Sequence, residues 1–510
     1  MASMYHSTRS AAEPCTAKRA VLNGIAPDGG LYVTDALGTK TIPLDELPAW
    51  TYRQTASHVL TALLDDYTSE EMSASVEAAY GETFDAEKVT PVVPVGDNYV
   101  LELFHGPTSA FKDVALQMLP QLMKHAAAQT DERIMILAAT SGDTGKAALA
   151  GFAGTPGLGI TVFYPHGGTS EIQRLQMVTQ DGDNVAVCAV KGNFDDTQST
   201  VKAIFADTAL KRRLADQGIV LSSANSINIG RLAPQVAYYF HAYGQLIANG
   251  IISQGNQVDF CVPTGNFGDV LAGYFAKRMG LPVRTFIVAS NRNNILTDFL
   301  TSGIYDRNRP FFKTISPSMD ILISSNLERL LYYIASDALE AGEDLDGHAT
   351  AYSYVASLMK SLADTGRYQV TDTVLHRIQA LFTCGWASDT ETRKTIGTCF
   401  DTNGYVLDPH TAVAWHVSEN TPDTGSAARI ILSTASPYKF CREVCIALGI
   451  DLDRNGFDDD FACMRKQEDR TGTHAPSALA MLENKPVRFD DVIVKEDMPE
   501  YVERACKELL

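Results

Sequence analysis

The sequence predicts an α/β protein built mainly on parallel sheet, and three observations predict it. From about residue 98 onward, short apolar runs of strand length alternate with helical patterns. Several runs end in a glycine-containing loop that opens the next helix, as where Val258-Asp-Phe-Cys-Val262 leads into Pro263-Thr-Gly-Asn-Phe-Gly-Asp269. The 510 residues are 45% hydrophobic and 20% charged, which suffices for large cores and excludes disorder for the bulk of the chain.

The elements follow in order. Ala26-Pro-Asp-Gly-Gly30 is a turn signal ahead of a short strand, Leu31-Tyr-Val33. Residues 52–80 alternate polar and apolar positions with helical spacing, and Pro91-Val-Val-Pro94 marks a boundary, so the first ~95 residues read as a separate unit. Strands are predicted at Arg133–Ala139, Gly159–Tyr164, Asn184–Val190, Val258–Val262, Arg284–Ala289 and Ala428–Ser433. Residues 440–510 read as a closing helical segment. In parallel α/β folds ligands sit beyond the carboxyl ends of the strands, so the loops there carry the search for function.

Composition narrows the function classes. Lys plus Arg number 42 against 61 Asp plus Glu, a net charge of −19 that repels polyanions, so no nucleic-acid partner is expected. No apolar run approaches the ~18 residues of a membrane span, and the amino terminus lacks the apolar core of a signal peptide. Nine scattered cysteines, with no Cys-x-x-Cys pair, read as free thiols in a reducing compartment and not as a metal site. A cytoplasmic enzyme without a metal is the expectation.

Five segments carry chemistry. The loop Gly265-Asn-Phe-Gly268 follows a strand and opens a helix whose first N–H groups point outward; it either binds a phosphate or is a plain βα turn. Ser141-Gly-Asp-Thr-Gly145 offers hydroxyls and N–H donors in the same context, or simply caps a helix. It is no P-loop, because Thr140 and Ala147 stand where Gly and Ser/Thr belong. Lys146, next in line, either points to solvent or adds charge beside a bound anion. In His105-Gly-Pro-Thr-Ser-Ala-Phe-Lys-Asp113, Lys112 is a cation at a helix start, against the macrodipole; it is either a desolvated amine that can capture an aldehyde or an ordinary solvated surface lysine. The helix beyond it must kink or shorten at Pro120. Asn225-Ser-Ile-Asn-Ile-Gly-Arg231 is either an anion-binding loop or a capped helix start with Arg231 in a surface ion pair. Thr434, at the end of the late strand, either bonds a ring nitrogen or starts a turn.

Together these segments resemble the threonine synthases, a family of pyridoxal-phosphate enzymes, over nearly the whole chain. The resemblance rests on Tyr5, Ser7-Thr-Arg9, Gly24–Tyr32, His105–Asp113, Ala139–Gly145, Asn225–Asn228 and Val262–Gly268. It continues through Ser316-Pro-Ser-Met-Asp-Ile321, Ser324-Ser-Asn-Leu-Glu-Arg329, Asp408-Pro-His-Thr411 and Thr434-Ala-Ser-Pro437. It implies a fold-type II architecture, with two α/β lobes around the cofactor and an N-terminal extension. The implied division is residues 1–96 for the extension and 97–510 for the catalytic region, with a small lobe nested at roughly 130–230.

The resemblance also implies roles. Lys112 would hold pyridoxal 5'-phosphate, with Gly265, Asn266, Phe267, Gly268 and Asp269 cradling its phosphate and Thr434 facing its ring nitrogen. Ser141, Asp143 and Thr144 would lie on the substrate side, with Asn225, Ser226, Asn228 and Arg231 toward the substrate phosphate. Lys18 is a further local donor or a solvated lysine, and His410 is near the site or structural. The implied reaction, that of a lyase of threonine biosynthesis, turns O-phospho-L-homoserine and water into L-threonine and phosphate. The competing outcome is a phospho-lyase that releases 2-oxobutyrate and ammonia. The expected partner is the small-molecule substrate alone, on a monomer or homodimer.

Overall fold

The computed structural model describes all residues except 1–2, 12, 131, 141, 424 and 453–458, and leaves out the side chains of residues 194 and 195. Two sheets organise the chain. The larger has six strands in the order Phe382–Trp386, Val283–Ser290, Val258–Pro263, Ala428–Ser433, Asn98–Glu102, Val92–Val95. Its first five are mutually parallel and the last is antiparallel. The smaller, wholly parallel, has the order Val492–Val494, Val185–Lys191, Leu158–Pro165, Arg133–Ala139, Ile219–Ser222. Helices cover both faces, and strands such as Leu158–Pro165 and Val258–Pro263 are buried along their whole length. That is why they read as unbroken apolar runs instead of alternating ones.

The structure adds to the sequence reading in several places, among them the strands Ile219–Ser222 and Phe382–Trp386, which the apolar runs do not mark. Val92–Val95, expected to mark a boundary, pairs with Asn98–Glu102 as the edge of the large sheet, so this hairpin bridges the 96/97 division. The closing segment is not only helical: Val492–Val494 runs parallel to Val185–Lys191 and completes the small sheet from the far end of the chain. Of the two effects expected of Pro120, shortening is excluded, since its helix runs from Lys112 to Ala127. Proline leaves the Leu116 carbonyl without its helical donor, and Gly151 of the helix Asp143–Phe152 packs against that carbonyl. A Cβ on Gly151 would lie 1.9 Å from the Leu116 oxygen.

The N-terminal region supports the same helix. Helices Tyr52–Leu63 and Ser69–Tyr80 each start at a threonine capping box, Thr51 with Gln54 and Thr68 with Glu71. Tyr80 donates to the Val114 carbonyl at 2.8 Å and Tyr67 to the Leu122 carbonyl at 3.1 Å. The residues expected to touch ligands lie on loops at the carboxyl ends of Asn98–Glu102, Arg133–Ala139, Ile219–Ser222, Val258–Pro263 and Ala428–Ser433, or on the helices those loops open. Among the described residues no helix is long and apolar enough to cross a membrane.

Candidate functional site

Lys112 opens its helix without a side-chain cap, since the N-cap residue is Phe111, and the segment before it is pinned by the turn at 434–436. Phe111 N–H donates to the Thr434 carbonyl at 2.8 Å, Ser436 N–H donates to the Ser109 carbonyl at 3.0 Å, and Ala110 bridges Ala435. The Asp113 carboxylate accepts from Thr108 through both its N–H, at 2.9 Å, and its hydroxyl, at 2.6 Å. The Lys112 amine is thereby delivered into a buried polar cluster. It donates to Ser318 Oγ at 3.3 Å and lies 3.7 Å from the Asp143 carboxylate. Burial pushes its pKa down to about 8; the Asp143 charge opposes that, while Lys439 and Arg231 reinforce it.

Asp143 is the anion of this cluster. It pairs with the fully buried Lys439 at 2.8 Å and accepts from Gln173 Nε2 at 3.0 Å and from Ser318 Oγ at 3.1 Å. Burial works against its charge, but the two lysines and the Gln173 amide outweigh that and hold its carboxyl well below the usual range. Ser318 N–H in turn donates to His410 Nε2 at 3.1 Å, and His410 Nδ1 meets the Asp408 carboxylate at 2.8 Å. An acceptor at Nε2 fixes the neutral tautomer with its proton on Nδ1, toward Asp408.

The glycine loop lies directly below. A Cβ on Gly265 would stand 2.9 Å from the Ser318 carbonyl, so the amine-bearing cluster and the loop share Ser318 as their contact. Phe267 takes a left-handed φ of +63° just before the helix Gly268–Arg278, which has no side-chain cap. Among the described residues, none of the backbone N–H groups from Gly265 to Asp269 finds an acceptor. Asp269, expected in the cradle, turns its carboxylate into the core, where Tyr238 donates to it at 2.5 Å and Tyr239 at 2.9 Å. Burial raises it to about 6 despite those donors, so its carboxylate is spent on the core.

The segment 225–231 divides. Asn228 is a helix cap: its side chain donates to the Val21 carbonyl at 2.9 Å and accepts from Gly230 N–H at 2.9 Å, which spends it on structure. Ser226 Oγ accepts from Asn326 Nδ2 at 3.3 Å, and the Asn225 side chain has no partner among the described residues. Arg231 is buried, not in a surface ion pair. Its Nη1 donates to the Ala224 carbonyl at 2.9 Å, its Nε has no acceptor, and desolvation lowers it to about 10. Thr434 is buried, with its backbone carbonyl on Phe111, and Thr144 sits half-buried in the first turn of its helix. Ser141 falls outside the described residues.

Neither Lys18 nor Lys146 is the solvated surface lysine that the sequence allows. Lys18 is held by both Glu71 carboxylate oxygens, at 2.9 and 2.7 Å, away from the site. Lys146 donates to Gln180, and burial lowers it to about 7. Lys439 and Ser318 carry no local signal of a role in the site. Lys439 lies in the short turn Pro437–Phe440, and Ser318 lies within a motif, Ser316–Ile321, that carries no chemistry of its own in the sequence.

A desolvated amine and a row of unpaired N–H groups at a helix start suit an aldehyde that carries a phosphate, and an unpartnered guanidinium suits a second anion. These donors fit pyridoxal phosphate, and the fold belongs to the same class. The family model described as pyridoxal-phosphate dependent enzyme matches residues 84–344, and the model for the threonine synthase N terminus matches residues 4–80. Threonine synthase of Pseudomonas aeruginosa is 40% identical over 441 residues, covering 86% of this chain and 88% of that one. Threonine synthase-like 1 of Pongo abelii is 40% identical over 447 residues, but the match spans 84% of this chain and only 58% of that longer relative. The crystal structure of pyridoxal-phosphate-bound threonine synthase from Brucella melitensis superposes with a TM-score of 0.85 at 36% identity, covering 99% of this chain and all of that one. The chain belongs to the threonine synthase family of fold-type II pyridoxal-phosphate enzymes.

Proposed function

We propose that the chain converts O-phospho-L-homoserine and water to L-threonine and phosphate, with Lys112 as the catalytic residue. The observation that carries this is the Lys112 amine, depressed to about 8 in a buried cluster that touches the glycine loop through Ser318. An amine of that pKa is partly neutral near pH 7 and can both take and return a proton.

In this reading Lys112 and the backbone of Gly265, Asn266, Phe267, Gly268 and Asp269 hold pyridoxal phosphate, and Thr434 faces its ring nitrogen. When bound, the cofactor supplies the electron sink that makes the substrate Cα acidic. Lys112 moves protons at Cα and Cβ. The pair Asp143–Lys439 keeps a fixed negative charge beside the amine, so the protonated form is tolerated when the amine carries a proton. Ser318, oriented by His410 and Asp408, gives the amine a neutral acceptor and sets its direction. Arg231, Ser226 and Asn225 take the substrate phosphate and stabilise its departure, with Thr144 on the substrate side. Donors fixed before the reaction and shielded from water stabilise a leaving anion more than mobile ones do. Against a net charge of −19, Arg231 supplies the positive charge at this end of the site.

The test is turnover of O-phospho-L-homoserine with products separated, alongside the visible spectrum of the cofactor-loaded chain. Threonine formed in step with phosphate, with the cofactor band and turnover both lost in Lys112→Ala, is the expected result. Release of 2-oxobutyrate and ammonia in place of threonine would overturn the synthase assignment while leaving the cofactor in place.

A further inference from the structure

Ser324-Ser-Asn-Leu-Glu-Arg329 takes no part in the chemistry above, yet two of its side chains lie between the loops assigned to the two phosphates. Asn326 is fully buried and spends every hydrogen-bonding group it has. Its Nδ2 donates to the Asn266 carbonyl at 3.2 Å and to Ser226 Oγ at 3.3 Å, and its backbone N–H donates to the same Asn266 carbonyl at 3.1 Å. Its Oδ1 accepts from Arg329 Nη1 at 2.6 Å. That last bond fixes the amide: a guanidinium only donates, so the carbonyl oxygen must face it and the NH2 must face the two loops. Arg329, also fully buried, places its other donors on the Ile227 carbonyl at 2.6 Å and the Tyr32 carbonyl at 2.9 Å. Ser324 Oγ adds a bond to the Gly265 carbonyl at 2.7 Å.

We propose that Asn326, oriented by Arg329, is a positioning residue that braces the glycine loop at Asn266 against the substrate-side loop at Ser226 and so fixes the spacing of the two phosphate-binding ends. This rests on the phosphate assignments made for those loops above. The bonds to Asn266 go to its carbonyl, on the reverse side of a peptide whose N–H neighbours form the cradle. Holding the carbonyl aims those N–H groups without consuming any of them. The bond to Ser226 leaves its hydroxyl proton free to donate to an anion. Arg329 holds the carbonyl of Ile227, the next residue, so two neighbouring residues of the second loop are tied to one buried pair.

The test is Asn326→Ala in the full chain, with Asn326→Ser and Arg329→Lys as companions should the first variant fold poorly. Cofactor-free protein is titrated with pyridoxal phosphate and with pyridoxal, which keeps the aldehyde and lacks the phosphate. Cofactor-saturated protein is then assayed for inhibition by inorganic phosphate against O-phospho-L-homoserine. The wild type should bind pyridoxal phosphate much more tightly than pyridoxal. Each variant should lose about tenfold for pyridoxal phosphate, equivalent to about 1.4 kcal/mol, and stay within about twofold for pyridoxal. The inhibition constant of phosphate should rise at least about fivefold in the same variants. Equal weakening of both aldehydes, no weakening, or a change at only one of the two phosphate ends would overturn the brace. A wild type that does not discriminate the two aldehydes would instead overturn the phosphate assignment of the glycine loop.

Discussion

The Lys112 amine and the Asp143 carboxylate stand 3.7 Å apart, and Asp143 gives its closer contact, 2.8 Å, to Lys439. One buried carboxylate is thus shared between two amines, one fixed and one reactive. The fixed amine secures the carboxylate, so the reactive one feels its charge without being locked to it. That sharing sets the pKa of Lys112 between the extremes of an isolated buried lysine and a tightly paired one.

The first consequence concerns pH. With Lys112 depressed to about 8 from its ordinary 10.5, its neutral fraction should rise about tenfold between pH 7 and pH 9 and then level off. The rate at which cofactor-free protein captures pyridoxal phosphate should follow that curve. An unperturbed lysine would rise about a hundredfold over the same span without levelling. The stability effect has a definite sign: between about 8 and 10.5 the unfolded chain binds more protons at this position, so this group's contribution to stability rises with pH through that window.

Asp143→Asn should remove the influence that raises Lys112, moving the capture profile to lower pH. It should also leave Lys439 buried without its carboxylate, a loss of about 3–5 kcal/mol at pH 7 by denaturant titration. The wild-type carboxyl is depressed, so its stabilisation is fully present above the ordinary carboxylate pKa of about 4 and is lost as pH falls toward the lower folded value. The gap between wild type and variant should narrow over that acidic range.

Arg231→Leu should separate function from stability. Arg231 is buried with an unpartnered Nε and an ordinary carbonyl on Nη1, so removing its charge relieves a desolvation cost. The expected result is an unchanged or higher Tm together with a KM for O-phospho-L-homoserine raised at least about tenfold, since a charge-assisted bond to phosphate is lost. A lower Tm with unchanged KM would assign Arg231 to the core instead.

Gly151→Ala should lose about 3 kcal/mol, the upper end for an overpacked core. The added methyl would meet the Leu116 carbonyl at 1.9 Å, on backbone that cannot turn aside. The helix that Lys112 opens must then shift, so retention of pyridoxal phosphate on dialysis should fall as well.

Much of this was legible before any coordinates. Apolar runs closed by glycine loops gave the parallel sheets, and the loop at Gly265–Gly268 was placed at a strand end because a βα turn needs those residues. Lys112 stood out because a cation at a helix start is unfavourable unless something else holds it there. The same local logic leaves Asn228 open, since an amide ahead of a helix reads equally as a cap and as a ligand, and the geometry shows the cap. It also left Ser324–Arg329 without a role.

The sequence alone therefore determined six of the sheet strands, the class of fold and the loops where chemistry collects, because those follow from periodicity and backbone demands within a few residues. Only the tertiary structure decided which charges meet. Lys439 reaches Asp143 because the turn after Ala428–Ser433 folds beneath Thr108, whose carbonyl also takes its amine at 2.9 Å. Val492–Val494 finds the small sheet, and Gly151 finds the carbonyl that Pro120 freed. Each is a contact between distant segments, fixed by close packing and by the need to pair every buried polar group, and neither requirement leaves a local mark on the chain.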